Sequence, residues 1–559
     1  MLTVISEQKQ SVGFIQSPFD ETFCGKNIGG RTEKQVEQQN IVADDVKQEF
    51  GENLQNLPLE NVHSRFITKC VGLILKKAVF EGTSRGSKVL EWHDPEHMKN
   101  LFDFKLHVNG ESETKLVEYV SNIIKCSVKT GHPYFVNQLF SGKKQPRNGL
   151  TAVRTKDFIS GFRVDPYGLI GQWLTDALNP SVYTYEVSPV FSIMEDVVLE
   201  EMRRIVGFPE GKGDGTFCPG GSISNGFGIS CARHMLFPEI KKTGVHAVGR
   251  LVLYTSRDAH YSIVKLATFM GLGSENVIAI ETDTKGKMKV EELENAIIRT
   301  LKTGGKPFMV SATAGTTVLG AFDPLESIGD VCKKYKLWLH VDAAWGGGCL
   351  MSEKHKKKLK GIEWADSVTW NPHKLLGVPQ QCSVFLTRHQ NLLQEVHSAQ
   401  ATYLFQKDKF YDVKYDTGDK HIQCGRRADV LKFWFMWKAK GSSGFESHID
   451  KIFDTARYFK ESIEHKSDFQ LVLTEPECTN VCFWYIPRSL QSSNYTEEEL
   501  HKVAPRIKER MMREGSMMVT YQPLRELPNF FRLVIGNSAL GPDDMDHIIE
   551  VIQTLGSDI

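Results

Sequence analysis

Two short segments carry residues that could together hold and activate an aldehyde cofactor. Lys374 comes directly after Asn371-Pro372-His373, and Asp342 ends the largely apolar run 337–341. A lysine amine forms a Schiff base with an aldehyde, and a carboxylate keeps a pyridine nitrogen protonated so that the ring can accept electrons. The pair is what pyridoxal phosphate chemistry requires, and it predicts a pyridoxal phosphate site.

Three other segments could complete this site. Residues 220–225 contain small residues that open an apolar helix, where backbone N–H groups can approach a phosphate. His260 offers a planar ring that could stack on a pyridine, and Thr317 offers a hydroxyl. Each has an ordinary alternative: a glycine-rich helix start, a hydrogen-bonded histidine and a turn. Together with Asp342 and Lys374, they are expected at successive strand ends of one sheet.

The elements that must position these residues alternate between strand and helix from about residue 185 to 390. Continuously apolar strands separated by helices indicate a mostly parallel sheet that is covered on both faces. Ligands bind such sheets at the carboxyl ends of the strands. After about residue 440 the order changes, which predicts a smaller α+β lobe. The strands predicted for the large sheet are residues 250–254, 308–312, 337–341 and 382–386.

Composition restricts the possible functions. The 559 residues include 68 basic and 68 acidic side chains, so no general attraction to nucleic acid or to a membrane surface is expected. The basic run 355–360 is interpreted as a solvated face. No apolar run approaches the ~18 residues of a membrane span. The eleven cysteines form no pattern and the N-terminus has no secretory leader, so a cytoplasmic location is predicted.

Four regions are predicted along the chain. Residues 1–85 are polar and are expected to form a largely disordered tail. Residues 86–184 form an N-terminal segment in which 143–163 are basic, lack periodicity and look like an insertion. Residues 185–440 form the cofactor-binding large domain, and residues 441–559 form the small domain. No metal site is predicted, because Pro95 interrupts the only helical histidine pair, His93 and His97.

The motifs around residues 220–222, 342–347 and 371–374 resemble those of the group II pyridoxal phosphate-dependent decarboxylases. The resemblance extends from about residue 88 to the C-terminus. It implies an α/β structure of fold type I, with a mostly parallel seven-stranded sheet in the large domain. It also implies a homodimer whose active sites lie at the subunit interface, with residues 86–184 contributing to both the dimer and the substrate pocket.

Matched position by position, the resemblance assigns roles to individual residues. Lys374 is the Schiff-base lysine, Asp342 is the partner of the pyridine nitrogen and His260 is the stacking residue. The implied cofactor-binding set is Lys374, Asp342, His260, Gly221, Ser222, Thr317, Ala344, Asn371 and His373. The implied catalytic set is Lys374, Tyr403, His260 and Asp342.

The resemblance also indicates the reaction and the class of substrate. Residues 401–409 are similar to a mobile loop whose tyrosine, here Tyr403, returns a proton to the substrate carbon after carbon dioxide leaves. Relatives that oxidise their products tend to replace this tyrosine or the stacking histidine. Both are retained here, which favours simple decarboxylation. Arg532 is expected to bind an acidic substrate through a bidentate fork. The implied substrate-binding residues are Arg532, Gln138, Phe140, Tyr134 and Gln380.

Within the acidic-substrate branch, the sequence looks most like the insect aspartate 1-decarboxylases. The features behind this are Tyr134, Val136, Phe140 and Gln380. The expected reaction is conversion of L-aspartate to β-alanine and carbon dioxide, with cysteine sulfinate also converted to hypotaurine. A cysteine sulfinate or glutamate decarboxylase is the alternative within the class. A catalytically silent homologue that acts as a binding partner is the alternative outside it.

Residues 143–163 depart from the family, which runs directly from residue 142 to about residue 165. A longer surface loop is cheap, since each doubling of loop length costs only ~0.6 kcal/mol. The extra chain is therefore either a harmless excursion or an alternative splice form that obstructs the pocket or the dimer interface.

Overall fold

The computed structural model describes residues 62–101, 104, 111–137, 165–491 and 495–559. The chain divides into two compact units, Met1–Thr68 and Lys69–Ile559, and residues 62–68 are the described part of the first. Most of the predicted tail and the whole of the predicted insertion 143–163 lie outside the described residues. Residues 62–83 are helical, so this part of the predicted tail is ordered structure.

A seven-stranded sheet forms the centre of the larger unit, with the strand order β1-β7-β6-β5-β4-β2-β3. Six strands are parallel and β7 is antiparallel to both of its neighbours. This confirms the mostly parallel sheet predicted for the large domain. Its strands are β1 (Asp214–Cys218), β2 (Leu251–Ser256), β3 (Val277–Ile280), β4 (Lys306–Thr313), β5 (Trp338–Ala343), β6 (Ser367–Trp370) and β7 (Ser383–Thr387).

Helices cover both faces of this sheet, and every residue of β2, β5, β6 and β7 is buried. Burial on two faces explains why these strands have no alternation of apolar and polar residues. The helices before the small domain are Val62–Leu73, Ile74–Phe80 (a π-helix), Pro95–Leu101, Glu113–Cys126, Pro166–Leu178, Pro189–Val206, Gly221–Leu236, Ile240–Thr243, Ser262–Phe269, Val290–Lys302, Leu325–Tyr335 and Leu392–His397.

The C-terminal part forms a second sheet of four antiparallel strands in the order β10-β11-β9-β8, as the predicted α+β lobe requires. Its strands are β8 (Phe469–Leu471), β9 (Asn480–Tyr485), β10 (Thr520–Leu524) and β11 (Leu527–Val534). Its helices are Val430–Glu464, Arg488–Gln491, Glu497–Glu514 and Pro542–Gly556.

Local sequence signals explain several helix boundaries. The hydroxyl of Thr496 accepts a hydrogen bond from Glu499 N, and the Glu499 carboxylate accepts one from Thr496 N, so the helix Glu497–Glu514 begins with a capping box. The helix Val430–Glu464 bends at Gly441, whose φ of +66° suits glycine. The predicted boundary at residue 440 falls at this bend, although both sheets belong to one compact unit.

Two further observations bear on the predictions about a histidine metal site and a membrane span. Pro95 begins a helix that includes His97 and leaves out His93, as expected from the restrictions on proline. Within the described residues, no helix is long and apolar enough to cross a bilayer.

Candidate active site

A cavity of about 210 Å³ opens at the carboxyl ends of the central strands of the large sheet. All nine residues that the sequence assigned to cofactor binding line it. Its lining consists of Gly221, Ser222, Asn225, His260, Tyr261, Thr313, Gly315, Thr317, Asp342, Ala344, Trp345, Asn371, His373 and Lys374. The folded chain therefore brings together residues that lie as far apart in sequence as Gly221 and Lys374.

Asp342 lies near the end of β5 and is buried, with 6% of its surface exposed. Its Oδ2 accepts a 2.8 Å hydrogen bond from Asn225 Nδ2, and its Oδ1 accepts a 3.0 Å bond from Ala344 N. Hydrogen bonds to both oxygens fix the orientation of this carboxylate. The side chain can therefore present a fixed negative charge to the cavity.

A chain of buried polar groups supports Asp342 from behind. The carbonyl oxygen of Asn225 lies 3.1 Å from His340 Nε2, and His340 Nδ1 lies 2.8 Å from the hydroxyl of Ser367. Burial lowers the pKa of His340 to about 4, with Asp342 opposing the shift, so the imidazole is neutral at pH 7. The Asn225 carbonyl oxygen can only accept a hydrogen bond, so Nε2 of His340 carries the hydrogen of the neutral imidazole.

The sequence prediction assigned no role to Asn225 or His340. Asn225 follows Gly221 by four residues, a spacing that places both on one face of the helix Gly221–Leu236. That spacing was the available signal for Asn225. The pairing with His340 crosses between a helix and β5, and no local pattern reports it.

His260 lies just before the helix Ser262–Phe269, at the carboxyl end of β2. Its Nδ1 lies 2.9 Å from the Ser262 hydroxyl and accepts a bond from Ser262 N at 3.3 Å. Because Ser262 Oγ already accepts from Asn225 Nδ2, the hydroxyl hydrogen is available for Nδ1 of His260. Burial lowers the pKa of His260, opposed by Asp342, which leaves a neutral ring for stacking.

Lys374 is half-buried and lines the same cavity. Burial lowers the pKa of its amine, Asp342 opposes this shift and Arg532 adds to it. A lowered pKa increases the fraction of neutral amine that can attack a carbonyl carbon. The neighbouring His373 has a pKa lowered by burial to about 4, and its Nδ1 lies 2.6 Å from the carbonyl of Cys382.

The residues at the N-terminus of the helix Gly221–Leu236 suit a phosphate. Gly220 precedes this helix without a side-chain cap, so the first backbone N–H groups are not satisfied by a cap. A Cβ at position 221 would lie 2.6 Å from Asn371 Nδ2, so only glycine fits beside Asn371. The buried Asn371 Oδ1 has no hydrogen-bond partner among the described residues. These features fit pyridoxal phosphate: the helix start and Asn371 would hold its phosphate, His260 would stack on its ring and Asp342 would face its pyridine nitrogen.

Arg532 reaches the cavity wall from β11 of the small sheet. It is 6% exposed, and its Nη1 donates a 2.8 Å hydrogen bond to the carbonyl of Thr317. Its Nε has no partner, and it forms no ion pair with any acidic side chain in the described part of the chain. The predicted substrate arginine is therefore adjacent to the cofactor-binding residues.

Other predicted substrate and catalytic residues do not line this cavity. Tyr403 is 79% exposed, and Gln380 is also exposed. The ring of Tyr134 packs against His132 and His547, with centroid separations of 5.3 and 4.7 Å. In a single chain these three side chains therefore lie outside the cavity, and their roles in a site at a subunit interface stay predictions.

The sequence could not show where these side chains lie. The motif around Tyr403 does not indicate how exposed the tyrosine is, and the segment around Tyr134 does not indicate which way its ring points. Gln138 and Phe140, the remaining predicted substrate contacts, lie outside the described residues. The adjacent Val136 is described, and its backbone bonds to Met518 and Val534 at 3.0 and 3.2 Å.

Comparison with known proteins places this site in a family. The profile of the pyridoxal-dependent decarboxylase conserved domain matches residues 95–486. Cysteine sulfinic acid decarboxylase of Homo sapiens is 50% identical over 492 residues, which are 87% of this chain and 95% of the human protein. Acidic amino acid decarboxylase GADL1 of Xenopus tropicalis is 48% identical over 499 residues, 89% of this chain and 93% of that protein.

The structural comparison agrees. The crystal structure of mouse CSAD matches with a TM-score of 0.83 and 46% identity, covering 90% of this chain and 100% of that one. This match confirms the predicted fold class, and the family match confirms pyridoxal phosphate as the cofactor. The chain belongs to the pyridoxal-dependent decarboxylase family.

Proposed function

We propose that this enzyme removes the α-carboxylate of L-aspartate to give β-alanine and carbon dioxide, and that it also converts cysteine sulfinate to hypotaurine. The observation that carries the proposal is the buried guanidinium of Arg532, which has no acidic partner among the described residues. Burying a charge without a partner is costly, and an acidic side chain of the substrate would supply the partner. The planar guanidinium can bind a carboxylate or a sulfinate through two parallel hydrogen bonds.

Cysteine sulfinate is the second candidate for the main substrate, because several similar proteins are named for it. The resemblance of residues 134–140 and Gln380 to aspartate 1-decarboxylases favours aspartate, whereas the 50% identity to human cysteine sulfinic acid decarboxylase favours the sulfinate. Product analysis with aspartate, cysteine sulfinate and glutamate in competition decides between them. A kcat/KM for aspartate far below that for either competitor would exclude the primary assignment.

The residues of the cavity have distinct roles in the proposed reaction. Bound pyridoxal phosphate supplies a ring that accepts the electron pair left by the departing carbon dioxide. The carboxylate of Asp342 holds a proton at the pyridine nitrogen, and Asn225 and Ala344 N hold that carboxylate in place. The amine of Lys374 would attach the cofactor, and the neutral ring of His260 would stack on it.

The proton that replaces carbon dioxide is assigned to Tyr403. A phenol can donate a proton in a site from which water is excluded. Within a single chain this side chain is 79% exposed and lies outside the cavity. We infer that the loop 401–409 enters the cavity of a second copy, so that each active site is built by two chains.

Exposed apolar side chains support a homodimer. The helix Pro189–Val206 and the short segment before it expose Val187, Val190, Ile193 and Val197, each by at least 45%. The helix Pro166–Leu178 exposes Ile170, Leu174 and Leu178. Apolar groups clustered on two consecutive helices are typical of a surface that another protein covers. A second copy is the partner we propose.

Mixed dimers test whether the sites are shared. A Lys374→Ala chain and a Tyr403→Phe chain are each expected to be nearly inactive alone. If Tyr403 acts in the partner's site, exchange of subunits restores one intact site in each mixed dimer, giving roughly a quarter of the wild-type activity. If mixing restores no activity although mixed dimers form, Tyr403 does not act across the interface.

A catalytically silent homologue is the alternative from a different class. The wild-type protein is expected to show an absorbance band near the visible edge that borohydride abolishes, and Lys374→Ala is expected to lack it. Absence of the band from the wild type would favour the silent alternative. Comparing turnover with and without residues 143–163 tests whether that segment obstructs the pocket.

The ten cysteines in the described part of the chain are all free thiols, which supports the proposed cytoplasmic location.

A further inference from the structure

Asn480 connects the small sheet to two loops that line the cofactor cavity. It begins β9 and is 1% exposed. Its Oδ1 accepts a 2.9 Å hydrogen bond from Trp345 Nε1. Its Nδ2 donates to the carbonyls of Thr317 and Val318, at 3.2 and 3.1 Å. Trp345 and Thr317 both line the cavity, so one buried amide contacts two parts of its wall.

The chemistry of these partners fixes the orientation of the amide. An indole N–H can only donate, and a main-chain carbonyl can only accept. The Asn480 oxygen must therefore face Trp345 and its nitrogen must face residues 317 and 318. An aspartate at this position would keep the acceptor but would place an oxygen against two carbonyl oxygens. Asparagine is the residue whose size and polarity match both sides.

Backbone hydrogen bonds and two further side chains of the small domain also hold the turn that carries Thr317. Cys482 Sγ of β9 lies 3.4 Å from the carbonyl of Val318, and the Glu477 carboxylate accepts a 3.0 Å bond from Phe322 N. Gly315 N and Thr316 N both donate to the carbonyl of Ala321 at 2.9 Å. Besides Asn480, Arg532 of β11, the strand next to β9, donates a hydrogen bond to the carbonyl of Thr317. Both attachments start from the small sheet. The position of Thr317 in the cavity therefore depends on how the small sheet sits against the large one.

We propose that Asn480 is a positioning residue that couples docking of the small sheet to retention of pyridoxal phosphate. Because coupling free energies are reciprocal, bound cofactor should also stabilise the contact between the two sheets through Asn480. The proposal concerns cofactor affinity and does not depend on which acidic amino acid is the substrate.

The test compares cofactor dissociation from the purified wild type and from Asn480→Asp, followed by absorbance during dialysis against a scavenger of the aldehyde. We expect dissociation to become roughly tenfold faster, within the usual range of coupling between sites. Asn529→Asp is the matched control. Asn529 is a buried amide of β11 that donates to His501 O at 3.0 Å, within the small domain. It should lose stability without faster cofactor loss.

The dependence on pH separates positioning from general damage. Below its pKa, the carboxyl introduced by Asn480→Asp carries a hydrogen that it can donate to a carbonyl. The ratio of its dissociation rate to that of the wild type should therefore fall towards one as the pH is lowered. Asn480→Ser, which is smaller and neutral, should show faster loss at every pH and serves if the aspartate variant does not fold.

Cofactor dissociation from Asn480→Ser at the wild-type rate would overturn the proposal. So would equal acceleration in the Asn529→Asp control. Failure to decarboxylate aspartate would leave this measurement unaffected, because it follows the cofactor and not the product.

Discussion

Asn225 donates a 2.8 Å hydrogen bond to the carboxylate of Asp342 and accepts one from the neutral ring of His340. The Asn225 amide thus lies between the carboxylate of Asp342 and the neutral imidazole of His340 in one buried series of hydrogen bonds. This arrangement holds the negative charge where the pyridine nitrogen of the cofactor requires it.

Asn225→Ala should weaken both stability and turnover. The substitution removes a donor from Asp342 and leaves Nε2 of the buried His340 with only a long 3.4 Å contact to Thr369 Oγ1, which costs about 1–3 kcal/mol in the free energy of unfolding. Turnover should fall by about tenfold or more as the carboxylate loses its orientation. Denaturant unfolding and kcat measure the two effects. Asn276→Ala, whose amide donates only to Leu272 O at 2.7 Å, should leave kcat unchanged.

Gly221→Ala should weaken cofactor binding. The added Cβ would lie 2.6 Å from Asn371 Nδ2, so Asn371 or the helix start must move away from the phosphate position. We expect at least about a tenfold loss of affinity, which corresponds to about 1.4 kcal/mol. Titration of the apoprotein with pyridoxal phosphate measures it. Gly425→Ala, where a Cβ meets nothing within 4 Å, is the control, and an equal loss there would contradict the steric explanation.

Acid should destabilise the protein through His340. Its pKa is about 4 in the folded chain, below the ordinary value of 6.5. Between these values the unfolded chain binds a proton that the folded chain does not. The free energy of unfolding should therefore decrease as the pH falls from 6.5 towards 4, by up to about 1.4 kcal/mol per pH unit.

The stabilising contribution is complete above pH 6.5 and its loss levels off below pH 4. Denaturant unfolding at several pH values measures the slope. His340→Gln should make the slope shallower, whereas replacement of the exposed His465 should not. An unchanged slope in His340→Gln would show that other groups control the acid response.

Arg532→Lys should separate charge from geometry. Lysine keeps the positive charge but cannot offer a planar fork of two donors. We expect KM for the acidic substrate to rise about tenfold or more, with a smaller effect on kcat. Steady-state kinetics provide the measurement. Arg457→Lys, at an exposed surface pair with Asp454, is the matched control for an arginine lost elsewhere.

Tyr403→Phe should reduce kcat by about 10²–10⁴-fold with little change in KM, the range expected when a general acid is removed. Product analysis should also show whether aldehyde forms once the proton donor is gone. Normal amine yield at normal kcat would remove Tyr403 from the mechanism.

Much of the large sheet could be predicted because β2, β4, β5 and β7 each contain a largely apolar run. The short strands β1, β3 and β6 have four or five residues each, and β1 begins with Asp214 and Gly215. Such segments join the sheet because their neighbours pair with them, and local propensity does not report this. The sequence interpretation missed them for that reason.

The candidate site could likewise be predicted only in part from the sequence. Residues that follow predicted strands, such as His260 and Asp342, could be placed because parallel strands bring their carboxyl ends to one edge. Contacts between elements could not be placed. The link from Asn225 to His340 and the exposure of Tyr403 depend on packing between distant segments.

Both side chains that bind residue 317 from the small sheet reach its main-chain carbonyl and not its hydroxyl. Every amino acid carries that carbonyl, so no replacement at position 317 can disconnect the two sheets. Alanine at position 317 would therefore miss this connection, whereas substitutions of Asn480 on β9 and Arg532 on β11 can reveal it.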